Sequence, residues 1–119
     1  PEEKTLQILL QVNVDSDENK GGIEENKLDE LIKFVLSEPN LNLRGLMTIL
    51  SEGTDPQKGY SKLRDLFNHF KEIYAHEFHA WDTLSMGMSK DLEVAVNCGA
   101  TIVRVGTDIF GSRTNGKGF

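Results

Sequence analysis

The sequence predicts an α/β fold built as one half of a parallel (β/α)8 barrel. Three observations predict it. Strand-like and helix-like patterns alternate along the chain in the order βαβαβαβ, which calls for parallel strands joined by crossover helices. The first and last strands are apolar on one face, while the other face carries Gln7, Gln11, Asn13 and Arg104. A doubly wound sheet, covered by helices on both sides, favours two apolar faces, whereas a barrel lumen can be polar. Four strands in 119 residues cannot close, because a complete barrel takes about 250 residues and eight strands.

The elements follow in order. Residues 6–14, LQILLQVNV, place Ile8, Leu10, Val12 and Val14 on one face of a strand. SDENKGG is a polar turn. Leu28, Leu31, Ile32 and Val35 form one face of a helix over 27–38, with Asn26 as its expected N-cap and Pro39 closing it. LNLRGLMTIL, 41–50, reads as the second major strand. Asp55 and Pro56 then start a helix running to about residue 77, with Tyr60, Leu63, Phe67, Phe70 and Tyr74 as its buried stripe. TLSM, 83–86, is a short strand. Ser89 is the expected cap of a third helix, and Gly99 its stop. ATIVRV, 100–105, is the last strand, and residues 114–119 form an expected tail after a barrel half spanning 1–113.

Composition narrows the function. A net charge of −6 argues against a nucleic-acid partner. The apolar runs are shorter than a membrane span, so no membrane partner is expected. A single cysteine, Cys98, fits a reducing compartment and a cytoplasmic location. His76 and His79 fall short of the three or four ligands of a zinc site, so no metal is expected. Four strands leave two open edges. Either the chain is a fragment of a longer protein or a second half-barrel completes it, and the abrupt start at PEEK favours the fragment.

Barrel chemistry sits at the C-terminal strand ends, and the loops after the last two strands of many barrels bind phosphate. Here those loops are SMGMS and GTDIFG. Gly87 and Gly106 allow close approach of backbone N–H groups, Ser85 and Thr107 bring hydroxyls, and Arg104 brings a full positive charge. Each residue singly has a structural reading of equal weight. Ser89 is better read as a cap, Met86 and Met88 as packing, and Arg104 has Asp15 or Asp108 as an alternative partner. Convergence on two adjacent strand ends favours the phosphate site.

LSMGMSKDLEVAV (84–96) followed by TIVRVGTDIFGSR (101–113) resembles the C-terminal signature of the YggS/PROSC-like pyridoxal phosphate homeostasis proteins. VNVDSDENKGGI and LRGLMTI extend the likeness upstream, so it runs from about Leu6 to Arg113. The resemblance implies the C-terminal half of an alanine-racemase-like TIM barrel that carries pyridoxal 5′-phosphate (PLP). By motif match Ser85, Gly106 and Thr107 would hold the phosphate, with backbone help around Met86 and Gly87 and with Arg104 beside the cofactor. The family's Schiff-base lysine lies in the N-terminal half, which this sequence lacks. The implied role is a non-enzymatic carrier or buffer of PLP in vitamin B6 homeostasis. The implied partners are PLP, an N-terminal half-barrel or a second copy, and PLP-dependent apo-enzymes as recipients. A racemase-like enzyme of the same barrel class is the alternative, and a sugar-phosphate barrel enzyme a third reading.

Overall fold

The computed structural model describes residues 4–15 and 21–104. Four parallel strands form one sheet: β1 (Leu6–Asn13), β2 (Ile23–Glu24), β3 (Leu41–Met47) and β4 (Thr83–Ser85), in the order β2-β1-β3-β4. Beyond β4, Ile102 makes a parallel bridge to Ser85. Three helices connect them: α1 (Leu28–Leu36), α2 (Pro56–Ile73) and α3 (Leu92–Asn97).

From β1 through β3 and β4 to Ile102, the sheet grows in one direction. Right-handed crossovers between strands added in one direction place the connecting helices on the same face. The apolar side chains agree. Leu10, Val12 and Val14 of the first strand region, Leu43 and Leu46 of β3, and Leu84 of β4 are buried in one core with Leu28, Ile32, Val35, Tyr60, Leu63 and Phe70 from the helices. The opposite face carries an open groove of about 250 Å3 lined by Gln7, Ile8, Leu9, Arg44, Thr83 and Ile102. At its rim Arg44 forks onto Asp82, with Nε 3.0 Å from Oδ1 and a terminal nitrogen 2.6 Å from Oδ2. One helix-covered face and one bare, partly polar face match the asymmetry expected of a barrel segment.

Local sequence explains most element ends. Asp55 accepts from the Gln57 N–H at 3.2 Å and Pro56 occupies the first turn of α2, where its missing N–H leaves nothing unpaired. Trp81 closes the far end of this helix, donating its indole N–H to the Phe67 carbonyl at 2.9 Å and stacking on Phe67 and Phe78. Gly45 sits where the β1–β3 register shifts, and a Cβ there would lie 1.7 Å from the Thr83 carbonyl oxygen, so no larger residue fits.

Several expectations are corrected. The helix expected over 27–38 begins as a 3-10 turn at Glu25–Lys27 and continues as α1 to Leu36; Asn26 lies inside that turn, so it is not the N-cap. The strand expected over 41–50 ends at Met47, after which Thr48 turns its hydroxyl to the Val12 carbonyl at 2.7 Å. The helix expected to residue 77 ends at Ile73, leaving His76 and His79 exposed beyond it. Strand β2 was not expected at all. The strand expected over 100–105 is, among the described residues, a single bridge at Ile102 flanked by backbone bonds from Thr101 to Leu84 and from Met86 to Ile102.

Candidate functional site

The C-terminal end of β4 and the residues around Ile102 build the candidate site. Alternation along β4 sends Leu84 into the core and leaves Ser85 half-buried on the bare face. Met86 returns to the core, where it is 2% exposed. Its N–H donates to the Ile102 carbonyl at 3.0 Å, which ties the loop after β4 to the next chain segment. Gly87 follows at φ +112°. A Cβ there would lie 2.5 Å from the Ala95 Cβ and 3.3 Å from Val103 Cγ1, so only glycine lets the loop pass between α3 and Val103.

Beyond Gly87 the chain enters a 3-10 turn, Ser89–Asp91, before α3. Asp91, not Ser89, caps this turn. Its Oδ1 accepts the Met88 N–H at 2.8 Å, and its own N–H donates to the Met88 carbonyl at 3.1 Å. Its Oδ2 accepts the hydroxyl of Tyr60, 2.9 Å away on α2. Burial, followed by this bond to Asp91, pushes the Tyr60 hydroxyl well above the usual tyrosine range. Gly99, at φ +104°, ends α3 as expected.

Arg104 donates its backbone N–H to the Gly87 carbonyl at 3.0 Å, while its side chain is exposed. Among the described residues its guanidinium has no ion pair or hydrogen bond. Asp15, one alternative partner, instead accepts from the Ser51 N–H at 2.7 Å and the Thr54 hydroxyl at 3.2 Å. Asp108, the other, lies outside the described residues.

Three donors are thus left without a partner among the described residues: the Ser85 hydroxyl, the Gly87 N–H and the Arg104 guanidinium. The Gly87 amide is notable because the residue is buried, and buried N–H groups are nearly always bonded. Of the expected site residues, Ser85, Gly87 and the Arg104 main chain meet at this strand end, and Met86 packs into the core with its amide already engaged. Gly106 and Thr107 lie outside the described residues. Such a set of hydroxyl, amide and guanidinium suits an anionic oxygen group. Tyr60 and Asp91 escaped the sequence reading: one looked like core stripe and the other like an ordinary first-turn acid.

Comparison with known proteins agrees with this architecture. The chain is 45% identical over 109 residues to a pyridoxal phosphate homeostasis protein of Aquifex aeolicus, covering 89% of this chain and 46% of that protein. It is 38% identical over 117 residues to a pyridoxal phosphate homeostasis protein of Pasteurella multocida, covering 96% and 49%. The chain therefore spans about half the length of the curated relatives it matches. The solved structure of PipY from Synechococcus elongatus PCC7942 with PLP bound superimposes with a TM-score of 0.78 at 30% identity, over 91% of this chain and 50% of that one. Alanine racemase from Corynebacterium glutamicum shares the fold, with a TM-score of 0.65 at 14% identity over 92% of this chain and 30% of that one. The family model for the alanine racemase N-terminal domain matches residues 1–114, and with a parallel sheet, helices on one face and a glycine-lined strand end, this chain belongs to that family.

Proposed function

We propose that this chain forms the phosphate-gripping C-terminal half of a barrel that carries PLP as a non-enzymatic, cytoplasmic buffer in vitamin B6 homeostasis. The observation that carries the reading is the set of donors at one strand end that have no partner among the described residues: Ser85, Gly87 and Arg104. The relatives' names and the PLP-bound neighbour point the same way.

The residues fit a cofactor phosphate. Arg104 supplies a full charge, and the Gly87 amide and Ser85 hydroxyl supply directed hydrogen bonds; Gly106 and Thr107 belong to the set by motif match and lie outside the described residues. Met86 is buried in the core, which anchors the loop that carries the Gly87 amide. The bound cofactor would supply an aldehyde able to link reversibly to an amine. No described lysine is placed as that amine by its motif. Lys33, Lys62 and Lys90 each face a carboxylate, on Asp29, Glu25 and Glu52. The Schiff-base lysine belongs to an N-terminal half, and residues 1–113 act as one half of the barrel domain with 114–119 as a tail.

Equilibrium dialysis with PLP tests this, using the chain alone and the chain joined to an N-terminal barrel half. The joined barrel retains PLP, and the chain alone binds it weakly or not at all. Retention by neither overturns the reading. A parallel assay of amino-acid racemisation by the joined barrel is expected to show no turnover, and turnover would establish the racemase alternative.

A further inference from the structure

The donors explain how a phosphate is held, but not why Tyr60 and Asp91 meet behind them. Tyr60 is 2% exposed, and a phenylalanine would fill its place in the core equally well. The hydroxyl instead reaches Asp91 Oδ2 at 2.9 Å while Oδ1 of the same carboxylate holds the Met88 N–H at 2.8 Å. Each oxygen of Asp91 therefore already accepts one hydrogen bond. The Arg104 charge is felt at the same hydroxyl, so arginine, tyrosine and aspartate share one neighbourhood. Yet Arg104 makes no ion pair with Asp91 among the described residues.

We propose that Tyr60 is a positioning residue for the phosphate site, acting through Asp91 in two ways. It fixes the turn that anchors Met88, and with Met86 anchored on Ile102 the Gly87 peptide between them is held at both ends. It also occupies the carboxylate oxygen that would otherwise draw Arg104 away from an incoming anion. Asp91 is a negative charge beside an anion site, and engaging both of its oxygens is what makes it tolerable there. This inference rests on the functional reading above.

The test separates phosphate grip from general stability by comparing PLP with pyridoxal, which lacks the phosphate. Tyr60→Phe is made in the complete barrel, and dissociation constants are measured for both ligands. PLP affinity falls about tenfold, the loss of one hydrogen bond to a charged group, while pyridoxal affinity stays within about twofold. Asp91→Ala is the second variant. It removes the acceptors of both the Met88 N–H and the Tyr60 hydroxyl, and it too loses PLP selectively. Equal loss of both ligands marks a merely structural role and overturns the inference, as does an unchanged PLP affinity. Should Tyr60→Phe fail to fold, the Asp91→Ala comparison decides by the same criteria. A wild-type barrel that binds no PLP overturns the functional reading itself, whereas a wild type that binds and a Tyr60→Phe that binds equally overturn only the role of Tyr60.

Discussion

The backbone N–H of Arg104 donates to the carbonyl of Gly87 at 3.0 Å. The residue that offers the site its charge is thus also fastened, by its main chain, to the loop that offers the amide. Because the bond is made by the main chain, replacing the side chain leaves it in place. Arg104→Gln in the complete barrel should weaken PLP binding by about 10- to 100-fold, the worth of one charged hydrogen bond. The exposed side chain contributes little to folding, so stability should change by no more than about 0.5 kcal/mol. Equilibrium dialysis and a urea melt on the same sample check both. Unchanged retention would assign Arg104 to a structural ion pair.

Gly87 supports a second prediction. Gly87→Ala puts a methyl 2.5 Å from the Ala95 Cβ at φ +112°. Strain and overpacking together should destabilise the chain by about 1–3 kcal/mol. Gly87→Ala should also lose PLP, because the amide must shift with the loop. A urea midpoint matching wild type would contradict the close approach.

Ionisable pairs predict the pH limits of stability. The bond from Arg44 holds the Asp82 carboxyl below its ordinary value, and the bond from Tyr74 does the same for Asp29. A depressed folded pKa adds stability that is present above the unfolded value, about 3.9, and is lost as pH falls through the folded one. Stability should therefore decline below about pH 4, less steeply in Arg44→Gln and at high salt, since both carboxylates are exposed to solvent.

The tyrosines act at the other end. Burial, then the bond to Asp29, pushes Tyr74 up to about 12, and burial raises Tyr60 as well. A raised folded pKa adds stability that is full below the unfolded value, about 10, and is lost as pH rises through the folded one. Urea midpoints should fall above about pH 10, and Tyr74→Phe should flatten that fall. An alkaline limb unchanged in Tyr74→Phe would contradict the assignment.

Much of this was legible in the sequence, and the rest fails for identifiable reasons. Period-two alternation in 6–14 and the Asp55–Pro56 start of α2 are local signals, and local physics carries them through. The two residues of β2 are too few to show any period. Ser89 falls one position inside the turn, whose N-cap is Met88, and Asp91 at its end bonds back to the Met88 N–H. Tyr60 shows a core residue in the sequence, and its hydroxyl acquires meaning only when α2 packs beside the turn at Ser89–Asp91. Arg104 stood out as a charge among β-branched residues, and its exposed side chain springs from a main chain bonded to Gly87.

A crystal structure of the complete barrel with PLP bound tests the central claim most directly. The account predicts the phosphate within about 3 Å of the Gly87 nitrogen and the Ser85 hydroxyl, with the Arg104 side chain beside the cofactor and the covalent link on a lysine outside residues 1–119. A phosphate bound away from Gly87, or a covalent link to a lysine of this chain, would contradict it.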